Sequence, residues 1–356
     1  MIETTLAETV RRVEEAPLSD LVAVSVDDVQ AQLDSYQDDP EMDSTSLYRR
    51  WEKQQWAVQD LDFSADVQQW SLLAEADREV VRRTMTLFFI GEQAVTDTLS
   101  PILHAAPFED ERIFLATQIA DEARHAVFFQ RFFDEVLEVH GGLRAALASV
   151  GSEATAGFRR IFETHLAEAT DRVRLEPQNR VAWAEAVITY HIVIEGYLAL
   201  GGQRSLLRFF RAAGLMPGFT AGFTAVARDE SRHVGYGVLA LRRRLQEDPE
   251  LARPMTLKLL ELADPAVQTV VNPDNQLNGP SPDTLAPQMR QSPLELRRFS
   301  LDQMVKRMRL IGLSEKTVAE VRAAYDSLYE GNWARYEALH GVDHPVRWYQ
   351  RELATA

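Results

Sequence analysis

The feature that most constrains this chain is a helical segment in which a glutamate and a histidine interrupt an apolar stripe. Glu122 and His125 lie three residues apart, so they share one side of a helix. The stripe recurs at three- and four-residue steps, which is typical of a buried helix face; its members are Leu115, Ile119, Ala126, Phe129, Phe133 and Val136. Because an unpaired charge in an apolar core costs several kcal/mol or more, Glu122 must be paired, exposed or bound to a cation.

The second half of the chain repeats this pattern with Glu230 and His233. Each pair also has a lone glutamate upstream on its own apolar helix: Glu92 lies 30 residues before Glu122, and Glu195 lies 35 residues before Glu230. A single Glu-x-x-His is more often a surface pair than a ligand pair, but two copies, each preceded by a glutamate, favour metal binding. Four helices that project these residues inward form the carboxylate-rich dimetal site of ferritin-like four-helix bundles.

Charge and ligand type narrow the choice of metal. Four carboxylates carry a formal charge of minus four, which two divalent cations offset, and each neutral imidazole adds one nitrogen ligand. Oxygen-rich sites without thiolates suit iron and manganese, whereas structural zinc sites usually take four nitrogen or sulfur ligands. The sequence therefore predicts a dinuclear centre of iron, manganese or both.

Composition excludes several other classes of function. The 356 residues carry a formal net charge of -16, which disfavours binding to nucleic acid or to an anionic membrane surface. The absence of cysteine excludes disulfides, thiolate metal sites and thiol catalysis within this chain. We see neither a signal peptide at the N-terminus nor an apolar run of spanning length, so we expect a cytoplasmic protein.

The hydrophobic periodicity predicts an all-α protein in three parts: an N-terminal extension (1–50), a dimetal four-helix bundle (51–265), and a loop with a C-terminal helical extension (266–356). The expected bundle helices run from Ala74 to Leu103, from Phe108 to His140 with a Gly141-Gly142 stop, from Arg180 to Ala213, and from Pro217 to Glu247. A loop is expected between Val271 and Gln291, followed by helices from Leu294 to Ile311 and from Ser314 to His340.

From about Trp51 to about Leu262 the chain resembles the ferritin-like superfamily that includes the radical-generating small subunit of class I ribonucleotide reductase. Within it, the motifs are most similar to those of the related ligand-binding oxidases. That resemblance implies a manganese–iron cofactor (alternatively two irons), dioxygen as oxidant, a long-chain fatty acid at the metals and a valine–tyrosine ether cross-link. Val95, three residues after Glu92, and Tyr190, five before Glu195, match the cross-linking pair.

We expect Phe129 to lie at the cofactor, where with Phe88 and Val95 it would surround the bound ligand. The same position also distinguishes the two relatives. The usual reductase subunit has its radical tyrosine four residues after the first histidine, although some reductase subunits have phenylalanine there and use a manganese–iron cluster. The resemblance also gives Trp56, Asp229 and Tyr349 as weak matches to the reductase electron path. We expect Asp229 instead to accept a hydrogen bond from a ligand histidine, His125.

These observations predict a dimetal oxidase that carries out two-electron C–H oxidation. Glu92, Glu122 and His125 are expected to hold one metal, and Glu195, Glu230 and His233 the other, with Glu122 bridging. The expected partners are a small hydrophobic or lipid-like ligand, an unknown electron donor and a second copy of the chain. Two alternatives stay open: a ribonucleotide reductase small subunit that lacks the radical tyrosine, and a non-catalytic ferritin-like metal-binding protein.

The position of Tyr190 leads to a geometric prediction. On a straight helix a residue five before Glu195 points about 140° away from it. A π-bulge between Tyr190 and Glu195 would turn this step into an effective four and bring Tyr190 toward Val95. We therefore predict a π-bulge here, with His191 as a hydrogen-bonded structural residue and not a ligand.

Overall fold

The computed structural model describes residues 5–341, apart from position 40, most of 143–154, and 271–292. Throughout this part of the chain the regular secondary structure is helical, as predicted. In chain order the helices are α1 (Leu6–Glu15), α2 (Val26–Asp38), α3 (Ser44–Lys53), α4 (Ser64–Leu72), α5 (Glu75–Thr98), α6 (Ser100–Ala105), α7 (Glu109–Glu135), α8 (Ala156–Arg159), π1 (Arg160–Leu166), α9 (Ala167–Leu175), α10 (Arg180–Val187), π2 (Ile188–Ala199), α11 (Leu200–Ala213), α12 (Pro217–Glu247), α13 (Ala252–Val270), α14 (Pro293–Ile311) and α15 (Glu315–His340).

The core of the fold is the predicted bundle of α5, α7, the continuous run α10–π2–α11, and α12. Helix α5 packs on α7, while α12 packs on both α7 and π2. Helices α11 and α12 end and begin where the sequence predicts, because Gly214 caps α11 in the left-handed conformation (φ 63°) and Pro217 opens α12. The buried Asp66 completes the start of α12 by accepting the N–H groups of Gly218 and Phe219.

Two predicted helix ends were wrong. Helix α7 stops at Glu135 rather than at His140, because the N–H groups of Leu137 and Val139 turn back to the carbonyls of Phe132 and Phe133, and Glu138 takes a positive φ of 58°. The Gly141-Gly142 pair lies beyond this turn and does not cap the helix. The helix expected to reach Leu103 is divided at Leu99 into α5 and α6, and Pro101 lies in the first turn of α6.

The π-helix prediction is confirmed, since π2 spans Ile188–Ala199 and contains both Tyr190 and Glu195. Helix α12 approaches this segment closely at Gly237, where an added Cβ would lie 2.3 Å from the Cβ of His191. Only glycine leaves room for that contact. The widened turn therefore sits against a glycine on the neighbouring helix.

The terminal extensions pack against the bundle. The buried Arg228 of α12 fastens the N-terminal part by donating to the carbonyls of Val13, Ala16 and Gln54. At the other end, α14 packs on π2 and α12, and α15 packs on α13. The loop expected between Val271 and Gln291 lies outside the described residues. None of the helices in the described ranges is long and apolar enough to cross a lipid bilayer.

Candidate metal centre

The structure brings the six predicted ligands together at the centre of the bundle. One set of possible ligand atoms comes from Glu92, Glu122, His125 and Glu230, and a second comes from Glu122, Glu195, Glu230 and His233. Within each set, the atoms lie within 4.8 Å of one another. All six side chains are buried, at most 7% exposed. The arrangement offers two adjacent cation sites that share two glutamates.

The distances show which glutamates face both histidines. His125 Nδ1 lies 3.3 Å from both Glu92 Oε2 and Glu230 Oε1, and 3.6 Å from Glu122 Oε2. His233 Nδ1 lies 3.1 Å from Glu122 Oε1, 3.2 Å from Glu230 Oε2 and 3.6 Å from Glu195 Oε1. Glu122 and Glu230 therefore both lie between the two sites, whereas the sequence analysis expected only Glu122 as a bridge.

The outer nitrogens of the two histidines face aspartates. His125 Nε2 lies 3.2 Å from Asp229 Oδ2, in agreement with the expected role of Asp229. His233 Nε2 lies 3.2 Å from Asp121 Oδ2 in the same way. A carboxylate in this position fixes the tautomer and the orientation of a ligand imidazole. Each aspartate belongs to the motif opposite its histidine, so the two motifs support each other across the bundle.

Two arginines bind the same two aspartates. We call the four side chains the outer ring: Asp121, Asp229, Arg124 and Arg232. Arg232 donates to Asp121 at 2.9 Å and to Asp229 at 2.6 Å. Arg124 donates to Asp229 at 2.9 Å and also pairs with Asp121. Asp121, Arg124 and Arg232 were not predicted, although the sequence carries a signal for them. The repeated unit is the five-residue pattern Asp-Glu-x-Arg-His at 121–125 and 229–233, not Glu-x-x-His alone.

Tryptophans approach the outer ring from α3 and from the segment that follows it. Trp56 Nε1 donates to Asp229 Oδ2 at 2.8 Å, and Trp51 Nε1 donates to Asp121 Oδ1 at 2.9 Å. Trp56 and Asp229, two of the residues matched to the reductase electron path, are thus hydrogen-bonded, and a similar pairing exists for the other motif. Tyr349, the third weak match, lies outside the described residues.

The pKa shifts show that protons on the glutamates and histidines offset part of the negative charge of the cluster. Burial raises the pKa values of Glu92 and Glu195 well above the ordinary range. Burial alone would lower the pKa values of His125 and His233, but nearby carboxylates, chiefly Glu92 and Glu230, raise them well above the ordinary value. Protons on these groups offset negative charge that two cations would otherwise neutralise, so metal binding must release protons.

His191 is part of a supporting network. Its Nε2 lies 3.1 Å from Gln118 Oε1, and Gln118 Nε2 donates to Glu195 Oε1 at 3.1 Å. Burial, together with the charge of His233, lowers the pKa of His191 to about 3, so its ring is neutral. His191 belongs to neither set of candidate ligands. Through Gln118 it holds Glu195, as the sequence analysis expected of a structural residue.

A cavity of about 260 Å³ opens directly beside the cluster. Its polar end consists of the four cluster glutamates and the hydroxyl of Tyr190, which donates to Glu122 Oε1 at 2.5 Å. Its remaining wall is mainly apolar and comes from α5, α8, π1, π2, α11 and α13, with Ser300 of α14. Apolar lining residues are Leu87, Phe88, Val95, Phe158, Phe162, Ile194 and Leu198.

Val95 and Tyr190, the residues predicted to form a cross-link, both line this cavity together with Glu92 and Glu122. Phe129 has a different position. It is fully buried among phenylalanines, where its ring stacks on that of Phe88 (centroids 6.3 Å apart) and packs edge-on against Phe223. Phe129 is not among the residues that line the cavity, whereas its stacking partner Phe88 is.

Comparison with known proteins agrees with this architecture. The ribonucleotide reductase small chain family matches residues 39–270, more than half of the sequence. The chain belongs to this family. Residues beyond 270, which include α14 and α15, lie outside the match.

Solved structures show that the fold is shared more widely along the chain. Variants of an R2-like ligand-binding oxidase with a Mn/Fe cofactor, reconstituted anaerobically or aerobically, are 24% identical with a TM-score of 0.65, and cover 78% of this chain and 95–96% of theirs. The R2-like ligand-binding oxidase from Sulfolobus acidocaldarius is also 24% identical, with a TM-score of 0.63, and covers 77% of this chain and 93% of that one. The fold is therefore that of the ferritin-like helical proteins.

Proposed function

We propose that this protein is a dimetal oxidase that uses dioxygen for two-electron C–H oxidation. The observation that carries the proposal is that the four cluster glutamates form part of the wall of a mainly apolar cavity. A buried cluster that only stores metal has no need of an adjoining apolar space. In an oxidase this space holds the C–H bond next to the metals and keeps bulk water away.

The residues fit two divalent metals. We propose that Glu92 and His125 bind one ion, that Glu195 and His233 bind the other, and that Glu122 and Glu230 lie between them. Carboxylate oxygens with one imidazole nitrogen per ion suit manganese and iron, and manganese with iron is the proposed pair, as in the R2-like oxidases of the same fold. The metals supply the redox chemistry; the protein supplies geometry, charge balance and a dry cavity.

The proposed ligand of the cavity is a long-chain fatty acid. Its carboxylate would face the cationic centre, and its alkyl chain would lie along Phe88, Phe162 and Ile194. Leu198 and Val270, which also line the cavity, are partly exposed, so the cavity reaches the surface. An apolar wall with a few polar groups at one end is typical of a site that orients a lipid-like molecule.

We further propose an ether cross-link between Val95 and Tyr190. Forming it removes one hydrogen from the Tyr190 hydroxyl and one from the Val95 side chain, joins oxygen to carbon, and passes two electrons to dioxygen. The hydrogen bond from Tyr190 to Glu122 supports this proposal, because Glu122 is placed to accept the phenolic proton. The π-helix supplies the turn that aims Tyr190 into the cavity.

Aerobic reconstitution with manganese and iron, followed by peptide mass spectrometry, tests the proposal. We expect a linked pair of peptides containing Val95 and Tyr190, lighter by two hydrogens than the sum of the separate peptides. The Tyr190→Phe protein should take up both metals without linking. If fully loaded wild-type protein exposed to dioxygen shows neither a linked pair nor an oxidised ligand, the proposed reaction is wrong.

A ribonucleotide reductase small subunit is the second candidate, and two observations favour it. The family match is one, and the hydrogen-bonded path from Trp56 through Asp229 to His125 is the other. Nucleotide reduction on addition of a catalytic reductase subunit, lost in Trp56→Phe, would select this function. Uptake of many irons per chain without oxidation would select a metal store instead.

A further inference from the structure

A row of tyrosine and tryptophan side chains leads away from the cavity. Tyr197 lines the cavity and packs edge-on against Tyr325 of α15, with ring centroids 5.1 Å apart. Tyr329, Trp333 and Tyr336 follow at steps of four, four and three residues, so they lie on one face of α15. The ring centroids are 6.4 Å apart for Tyr329 and Trp333, and 5.4 Å apart for Trp333 and Tyr336.

All five side chains are buried, with exposures between 1% and 7%, and Trp333 is the most exposed of them. A buried aromatic stripe on a helix is usually core packing, for which phenylalanine or leucine suffices. Tyr325 departs from that expectation, because its buried hydroxyl makes no hydrogen bond within the described residues. Such a hydroxyl adds nothing to the packing, so Tyr325 differs from a phenylalanine at this position chiefly in being easier to oxidise.

A second group of aromatic side chains near the centre has a different composition. There, α5, α7 and α12 surround the site with phenylalanines that contact one another, among them Phe88, Phe89, Phe129, Phe133 and Phe223. A phenylalanine ring carries no O–H or N–H group and is far harder to oxidise than tyrosine or tryptophan. The oxidisable ring of Tyr197 at the cavity is therefore followed by further oxidisable rings on α15, whereas the named phenylalanines offer none.

We propose that Tyr197, Tyr325, Tyr329, Trp333 and Tyr336 form a chain that carries oxidising equivalents out of the cavity when no substrate is oxidised. This proposal rests on the proposed oxidase function, which supplies a one-electron oxidant made from dioxygen. Tyr197 gives that oxidant one electron and one proton and becomes a neutral radical. Tyr325 restores Tyr197 with one electron and one proton, and the same transfer is repeated outward to Trp333 and Tyr336.

The last ring is restored by a small-molecule reductant such as ascorbate or a thiol, which loses one electron and one proton. In the net reaction, one reductant gives one electron and one proton to the oxidant. The five aromatic side chains return to their starting state. This role also gives a reason for the C-terminal extension, since four of the five rings belong to α15, which lies outside the family match. Oxidation of residues in the cavity wall would end turnover. A radical on α15 does not, because it lies away from the metal ligands.

The test compares wild-type protein with Tyr325→Phe, which removes one oxidisable link and keeps the ring. Both proteins are loaded with manganese and iron without added fatty acid and mixed rapidly with dioxygen. Absorbance follows the decay of the oxidised centre, spin resonance detects ring radicals, and peptide mass spectrometry locates oxidised residues. We expect the decay in Tyr325→Phe to be roughly tenfold slower, or about 1.4 kcal/mol in activation free energy, with oxidation moved from Trp333 and Tyr336 to Tyr197.

Tyr236→Phe is the matched control, because Tyr236 is equally buried, its hydroxyl also lacks a hydrogen bond within the described residues, and it lies outside the row. It should match the wild type in decay and in the map of oxidised peptides. Equal decay and an unchanged map in Tyr325→Phe and in Trp333→Phe would overturn the chain alone. If the loaded wild-type protein never forms an oxidised centre, the oxidase function fails, and the chain fails with it.

Discussion

The two outer aspartates should control the two metal positions separately. Asp229 Oδ2 faces His125 Nε2 and accepts hydrogen bonds from Trp56 Nε1 and Arg124. Asp229 Oδ1 accepts a hydrogen bond from Arg232 at 2.6 Å. In Asp229→Asn one of these oxygens becomes an NH₂ group that faces a donor, so at least one charge-assisted hydrogen bond is lost. Such a loss lowers the free energy of unfolding by about 1.5–3 kcal/mol.

The effect on metal binding follows from the weaker hold on His125. Loss of a carboxylate behind a ligand histidine typically costs about 10–100-fold in metal affinity, or roughly 1.4–2.7 kcal/mol. We expect this loss at the ion bound by His125 and Glu92, and little change at the ion bound by His233. Asp121→Asn is the mirror-image control, since Asp121 faces His233 at the same distance of 3.2 Å.

Crystals of each variant soaked in limiting manganese would show the result as anomalous scattering at two separate positions. The expected outcome is reduced occupancy on the His125 side in Asp229→Asn and on the His233 side in Asp121→Asn. Equal occupancies in both variants, or loss at the same position in both, would refute the assignment of one aspartate to one metal.

Three other changes probe the bridge, the cavity and a buried acid. Glu122→Ala should abolish binding of both ions, because it removes a ligand from each set; two metals per purified chain would contradict this. Ser300→Phe should fill part of the cavity and reduce the fatty acid extracted from the protein, as mass spectrometry would show, with metal content unchanged. Burial raises the pKa of Glu111 from 4.5 to about 7 despite Arg244 and Arg243, so the folded state binds this proton more tightly. The resulting stability is present below pH 4.5 and is lost as pH rises to about 7, so wild type should lose up to about 3 kcal/mol relative to Glu111→Gln across this range, measured by denaturant unfolding at each pH.

The parts of the fold that depend on local chemistry were predictable from the sequence. Gly214 and Pro217 mark the junction between α11 and α12 because a left-handed cap and a proline at a helix start act within a few residues. The π-helix was predictable because Tyr190 and Glu195 are separated by a step that a regular helix cannot reconcile with a shared site. The end of α7 was not predictable, because it depends on a backbone turn at Glu138 for which the sequence carries no strong signal.

The shared position of Glu230 could not be predicted, because sequence spacing does not say how far α12 is turned toward α7. The exchange of aspartates between the motifs could not be predicted either. Asp121 and Asp229 each precede a ligand glutamate, yet each faces the histidine of the other motif. This exchange is a property of helix packing. The composition of the motif was visible, however, and reading all five residues would have identified both arginines.

The exchange also explains why the site suits two cations. Asp121 and Asp229 carry two negative charges, and Arg124 and Arg232, which touch both, carry two positive charges, so the outer ring is neutral as a whole. The charge left inside it is that of Glu92, Glu122, Glu195 and Glu230, which two divalent ions cancel. Because each histidine depends on an aspartate from the opposite motif, a shift of α7 against α12 disturbs both ions together. We therefore expect a change that moves α7 against α12 to weaken the binding of both ions, whereas Asp229→Asn and Asp121→Asn leave the helices in place and each weaken the binding of one ion.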